Sequence, residues 1–184
     1  HRNGAIAFAI FNYVRYTGDD DYLLEGGLEV LVAISRFWSE RVTWSEPRQA
    51  WMMLGVTGPN EYENNVNNNW YTNFLARWCI QYCLEVDAQV SATLPEKLSA
   101  KEQKDFQHIV ENVYFPTLEG THVYLQQDGF MDKEQLSAQD IPVAERPINQ
   151  HWSWDRILRS IFIKQADVLQ GLYLFEDHFS EEVI

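Results

Sequence analysis

Residues 55–73 read GVTGPNEYENNVNNNWYTN, and both the backbone signals and the composition of this stretch are typical of a long, specialised loop. Gly58-Pro59 interrupts regular structure. Asparagine side chains compete for the backbone hydrogen bonds that helices and strands need. Amides and carboxylates suit a polyhydroxylated ligand, on which the rings of Tyr62, Trp70 or Tyr71 could stack. A ligand-binding loop is one interpretation, and a solvated loop with asparagine caps is the other.

Helical patterns lie on the N-terminal side of this loop. Apolar residues recur at helical spacing over residues 1–17 and again over residues 22–42. Gly18 is a helix stop, and the acidic run at 19–21 is a cap and first turn for the next helix. These signals predict an αα-hairpin.

A second αα-hairpin is predicted after the loop. Its first helix covers residues 70–88 and is followed by a break at Pro95. Its second helix opens at a capping box formed by Ser99 and Glu102. Repeated αα-hairpins separated by long loops are typical of an α-solenoid or a closed α/α barrel.

The loops are expected to contain short strands. Residues 49–56 have strand character, and residues 122–126 are predicted to pair with 130–131 across a turn at 127–129. A last helix is expected over 168–175. Its buried side would contain Leu169, Leu172 and Tyr173. The chain is therefore predicted to be mainly α, with short strands in long loops.

Composition excludes several classes of function. The 184 residues have a formal net charge of −13, which opposes binding to nucleic acid or to an anionic membrane. No apolar run reaches the roughly 20 residues that cross a bilayer. Cys79 and Cys83 are interpreted as buried core thiols rather than as a disulfide or metal pair. The histidines show no metal-ligand spacing, so no metal is expected, and no Gly-rich phosphate loop of the P-loop or Rossmann type is present.

Glu61 and Glu63 are the candidate acids for glycosidic chemistry, which needs a carboxylic acid to protonate the leaving oxygen. They are expected to point in opposite directions, so that at most one of them faces a given pocket, and spacing alone does not select which. Lys164-Gln165 precedes a predicted helix, where a lysine opposes the helix dipole. This position suggests a ligand contact, and a surface lysine is the alternative.

Three segments resemble the disaccharide phosphorylases of glycoside hydrolase family 65: residues 56–73, the opening HRNGAIAFA at 1–9, and KQADVLQ at 164–170. The resemblance implies an (α/α)6 barrel. It implies that Glu61 is the general acid and leaves Glu63 a structural role. It also implies that Lys164 and Gln165 bind the disaccharide.

The activity that the resemblance implies is inverting phosphorolysis, in which maltose and phosphate give β-glucose 1-phosphate and glucose. Phosphate is then a co-substrate, no cofactor is needed, and the family suggests a homodimer of the full-length protein. The sparse use of cysteine fits a cytoplasmic location. Members of the family are several times longer, so residues 1–184 are expected to be a partial barrel domain, truncated at both ends and inactive alone. The alternatives are an inverting hydrolase of the trehalase type and a non-catalytic sugar-binding helical fragment.

Overall fold

The structure is a computed structural model that describes residues 1–90 and 97–183. The chain divides into two compact units. The first unit comprises His1–Leu54 and Thr72–Phe115, and the second comprises Gly55–Tyr71 and Pro116–Ile184. The predicted break at Pro95 lies outside the described residues. Within the described ranges, no helix combines the length and the apolar character that crossing a membrane requires.

The first αα-hairpin of the first unit is confirmed. Helix α1, Arg2–Thr17, ends at Gly18, whose φ of 70° is left-handed and whose N–H donates to the Val14 carbonyl. A π-helical turn, Leu23–Gly27, precedes helix α2, Leu28–Arg41. This turn is the one departure from the predicted continuous helix over 22–42. The buried face of α2 includes Leu28, Leu31, Ser35 and Trp38.

The second pair of helices is also confirmed. Helix α3 covers Trp70–Val90 and helix α4 covers Ala100–Asn112. The capping box is formed in both directions: the Glu102 N–H donates to Ser99 Oγ, and the Ser99 N–H donates to a Glu102 carboxylate oxygen. Cys79 and Cys83 are free and buried, as interpreted. Burial raises the pKa of Cys79 to about 12 and that of Cys83 to about 11.

A short hairpin lies between α2 and α3. Strands β1, Thr43–Ser45, and β2, Ala50–Met52, pair antiparallel with Trp44 opposite Trp51. The strand predicted within 49–56 is therefore present, and residues 43–45 are its partner.

The second unit consists of short helices and turns. Its 3-10 turns cover Phe130–Asp132, Ala138–Asp140, Val143–Glu145 and Glu176–His178. Its α-helices are α5, Ile148–His151, α6, Trp154–Arg159, and α7, Asp167–Leu174.

The predicted pairing of 122–126 with 130–131 is wrong. Gly129 has a φ of 70° and begins the 3-10 turn, so the chain coils after it and does not extend. The 122–126 segment instead bonds to the residues just before it, because a turn through Gly120 folds the chain back: Leu125 N–H donates to the Pro116 carbonyl at 2.9 Å.

The buried side of the last helix was also predicted wrongly. Leu169 is 65% exposed and Tyr173 is 81% exposed. Helix α7 instead buries Asp167 and Gly171. A Cβ at Gly171 would lie 2.4 Å from Trp70 Cζ3, so the packing face is the one with the smallest side chain.

Candidate functional site

The candidate site is built on the loop from Gly55 to Asn69 in the second unit. Val56 and Val66 exchange backbone hydrogen bonds of 2.8 Å and close the base of this loop. Asn65 and Asn68 both adopt a φ of 51°, a conformation that asparagine tolerates better than most residues. These two asparagines thus allow the backbone to turn where most other residues would be strained.

The interpretation of the loop as simply solvated is wrong for three of its asparagines, whereas Asn64, Asn65 and Asn67 are exposed. Asn60, Asn68 and Asn69 are at most 2% exposed. Asn68 Nδ2 donates to Asp128 at 2.6 Å, and Asn69 Nδ2 donates to Asp167 at 2.8 Å. These amides tie the loop to later parts of the chain.

The two glutamates have opposite environments, as expected, but the reason is a turn: the Glu63 N–H donates to the Asn60 carbonyl at 3.3 Å, whereas residues two apart in an extended chain would share a face. Glu63 is buried: it accepts a hydrogen bond of 2.9 Å from Gln127 Nε2 and pairs with Lys133. The Glu61 side chain is 62% exposed and pairs with the ammonium group of Lys164. Of the two, Glu61 is the carboxylate that a ligand in solvent can reach.

The tertiary structure brings Glu61, Lys164 and Gln165 together. Gln165 Oε1 accepts the backbone N–H of Glu61 at 2.8 Å. Asn60 Oδ1 accepts the backbone N–H of Lys164, also at 2.8 Å. The hydrogen bond to Glu61 raises the pKa of Lys164, so this lysine stays charged. A carboxyl group, an ammonium group and an amide therefore converge at one place.

Asp167 is a further polar residue of this site, and sequence reasoning missed it. It is fully buried, its carboxylate accepts a hydrogen bond from Asn69 Nδ2, and the nearby backbone N–H of Asn60 lowers its pKa. Burial outweighs these contacts and raises its pKa to about 6. A charged residue inside the KQAD segment, at the start of a helix, was the only signal in the sequence, and it is equally typical of an exposed helix cap.

Two of the three rings expected to stack on a sugar are in the core instead. Trp70 is fully buried and packs on Tyr124 and Phe179, at ring-centroid distances of 4.9 and 5.9 Å. Tyr71 is 5% exposed, and its hydroxyl accepts from Gln170. Tyr62 is half-buried and is the one of the three that keeps an accessible surface.

The side chains of this site suit a polar, uncharged ligand. A carboxyl group can donate a proton, and ammonium and amide groups can bind hydroxyls. No group of three or more histidine, cysteine, aspartate or glutamate residues with the geometry of a metal site occurs among the described residues.

Known proteins are similar to this chain in sequence and in fold. All 184 residues match the model of the glycosyl hydrolase family 65 central catalytic domain. The chain is 51% identical to maltose phosphorylase of Bacillus subtilis, with 99% of this chain and 24% of that protein covered. It is 31% identical to kojibiose phosphorylase of Halothermothrix orenii, with 100% of this chain and 25% of that protein covered.

A solved structure agrees with these relatives. A protein from the human microbiome, described as a kojibiose phosphorylase, superposes with a TM-score of 0.84 at 30% identity, covering 98% of this chain and 26% of that one. The chain thus spans about a quarter of the length of the relatives it matches. The match confirms the prediction of a mainly α fold of the (α/α)6-barrel type with short strands in its loops. The chain belongs to glycosyl hydrolase family 65, and its residues are those of the central catalytic domain.

Proposed function

We propose that this chain contributes the general acid, Glu61, and a sugar-binding pair, Lys164 and Gln165, to an inverting disaccharide phosphorylase that acts on maltose. The observation that supports this most directly is the exposed Glu61 carboxylate beside the Lys164 ammonium group, on a backbone held by Gln165. The 51% identity to a maltose phosphorylase supports the choice of substrate.

In the proposed reaction, Glu61 donates its proton to the glycosidic oxygen as the bond from that oxygen to C1 breaks. A phosphate oxygen attacks C1 from the opposite face, which inverts its configuration and gives β-glucose 1-phosphate and glucose. Phosphate is already an anion, so no general base has to generate the nucleophile, and one carboxylic acid suffices.

Lys164 has two roles in this scheme. In the empty site its ammonium group neutralises the Glu61 carboxylate. When a disaccharide enters, the ammonium group donates to a sugar hydroxyl instead, and the carboxyl group is released to take up the proton that it later transfers. Gln165 Oε1 accepts the Glu61 N–H, which leaves its amide Nε2 to the ligand.

The test uses the full-length protein and the Glu61→Gln variant. Glutamine keeps the size of the side chain and cannot donate an acidic proton, so phosphorolysis of maltose should fall at least ~100-fold. Glu119→Gln, at an exposed position of the same unit, is the matched control and should leave the rate unchanged. Phosphorolysis by Glu61→Gln at the wild-type rate would show that Glu61 is not the acid.

The dependence on phosphate separates phosphorolysis from the rival reaction. A phosphorylase releases glucose 1-phosphate from maltose only when phosphate is present. An inverting hydrolase of the trehalase type releases glucose in its absence. Binding of maltose with neither product would indicate the non-catalytic alternative.

A further inference from the structure

We propose that Asp167 is a positioning residue for the general acid. Its buried carboxylate holds the loop backbone that presents Glu61 to the substrate. This inference rests on the proposed role of Glu61. Asp167 itself is fully buried and does not touch the substrate.

The first observation is that side chains of one short segment lie against two successive backbone N–H groups at the acid. Gln165 Oε1 accepts the N–H of Glu61 at 2.8 Å, and the Asn60 N–H lies near enough to the Asp167 carboxylate to lower its pKa. The peptide unit between Asn60 and Glu61 therefore has little freedom to rotate. The position from which the Glu61 side chain extends is restrained by residues 165–167.

The second observation is that the loop in turn holds the segment of residues 164–165. Asn60 Oδ1 accepts the backbone N–H of Lys164 at 2.8 Å, and that of Gln165 at 3.4 Å. The loop thus positions the segment that contains Lys164, and that segment positions the loop. Glu61 and Lys164 are therefore held in a fixed position relative to each other.

The third observation is that the loop backbone lies directly on the Asp167 carboxylate. A Cβ built on Gly58 would come within 2.4 Å of Asp167 Oδ2 and 2.5 Å of Asn69 Nδ2. Only a residue without a side chain fits there, so Gly58 permits the contact between Asp167 and the loop. The Asn69 amide, at 2.8 Å from the same carboxylate oxygen, completes this buried cluster.

The consequence for catalysis is geometric. Protonation of the glycosidic oxygen requires the acid within hydrogen-bond reach of it, and displacements of about 1 Å can cost ~100-fold in rate. Loss of Asp167 should therefore impair a reaction that needs the acid much more than one that does not.

The experiment compares two substrates of the full-length enzyme at saturating phosphate. With maltose, the bond from C1 to oxygen breaks and Glu61 supplies the proton to the leaving glucose. With α-glucosyl fluoride, the bond from C1 to fluorine breaks, fluoride leaves as the anion without a proton, and phosphate attacks C1 to give the same β-glucose 1-phosphate. The ratio of kcat values for the two substrates reports on the acid alone.

We expect Asp167→Ala to lower kcat for maltose at least ~10-fold more than kcat for the fluoride. Asp167→Asn keeps one oxygen acceptor and should recover most of that ratio. It also serves as the test variant if the alanine variant fails to fold, and its ratio should then still fall below the wild-type value. Melting temperatures are measured for each variant.

Asp87→Ala and Asp87→Asn are the matched controls. Asp87 is 2% exposed and, like Asp167, is a buried carboxylate that accepts a side-chain amide, here from Gln103; it also accepts the backbone N–H of Lys97. It belongs to the first unit, so its loss should leave the ratio unchanged even where stability falls.

Equal losses for the two substrates, or no loss for either, in the Asp167 variants would overturn the inference. The proposed function is judged separately, on the wild-type protein. If the wild type hydrolyses both substrates without phosphate, phosphorolysis is wrong, and the same ratio of hydrolysis rates still tests Asp167. If the wild type turns over neither substrate, both proposals fail.

Discussion

At the scale of single residues, Glu61 and Glu63 show how burial separates two identical side chains. Glu63 is 7% exposed and forms its ion pair with Lys133, whose side chain is 14% exposed. Burial lowers the pKa of Lys133, and the adjacent Glu63 carboxylate works against that shift. A buried charge without its partner is costly, so each of these residues depends on the other.

We expect Lys133→Met to lower the free energy of unfolding by about 3–5 kcal/mol, because it leaves the Glu63 carboxylate buried and uncompensated. The double variant Glu63→Leu, Lys133→Met should be closer to wild type than either single variant. Urea denaturation of the four proteins gives the coupling energy.

The surface pair of Lys101 and Asp105 provides the control for this cycle. Its side chains are 85% and 53% exposed, so Lys101→Met should cost far less than Lys133→Met. If Lys133→Met cost no more than Lys101→Met, the ion pair of Glu63 and Lys133 would not stabilise the loop.

At the scale of elements, helix α7 shows that apolar periodicity can indicate the wrong packing face. Leu169 and Tyr173 are exposed, whereas Gly171 packs on the rings of Trp70 and Tyr71. The small side chain lets the helix axis approach Trp70 closely. The same approach places Asp167, at the start of α7, beside Asn69.

We expect Gly171→Ala to destabilise the second unit by about 1–3 kcal/mol or more, since overpacking forces neighbouring groups to shift. The added Cβ would lie 2.4 Å from Trp70 Cζ3, an atom of a rigid ring. Thermal melting followed by tryptophan fluorescence would detect the change.

Gly26→Ala is the matched control for this prediction. A Cβ at Gly26 meets no atom within 4 Å, so an alanine there overpacks nothing. Its melting temperature should remain near that of the wild type. A Gly171→Ala variant as stable as Gly26→Ala would contradict the packing described for α7.

At the scale of the whole molecule, the acidic chain has an exposed apolar surface in its second unit. A cavity of about 820 Å³ is lined mainly by apolar side chains, including Val123, Leu125, Leu169 and Leu172. Val123 is 56% exposed and Leu169 is 65% exposed. A cavity with apolar walls is a place where an apolar probe can bind.

We expect the 184-residue chain, expressed by itself, to bind an apolar fluorescent dye at this cavity. Leu169→Lys places a charge on its wall and should lower the dye signal. Lys104→Leu, at an exposed position of α4, is a control that should leave the signal of the second unit unchanged. Absence of dye binding by the wild-type chain would contradict the prediction.

What could be predicted from the sequence is what local interactions determine. The left-handed stop at Gly18 and the capping box of Ser99 and Glu102 involve residues at most four positions apart, so their signals stand side by side in the sequence. The helices they delimit were predicted within a few residues. The opposite orientations of Glu61 and Glu63 do not follow from an extended chain, in which residues two apart share a face; they come from the turn in which the Glu63 N–H donates to the Asn60 carbonyl.

The grouping of Glu61 with Lys164 and Gln165 came from a resemblance, because no local pattern links residues that are 103 and 104 positions apart. The buried role of Asp167 and the core position of Trp70 were not predicted at all. A carboxylate at a helix start and an aromatic ring beside a polar loop have the same local signals whether they face solvent or the core.

The sequence by itself determined the helices, their caps and the candidate acids, because hydrogen bonds within a few residues and the helical period depend only on neighbouring side chains. The tertiary structure alone decided which carboxylate is exposed, which glycine lets α7 approach Trp70 and how the loop is held on Asp167. Those outcomes depend on burial and on partners about a hundred residues away, such as Asn69 for Asp167 and Gln165 for Glu61.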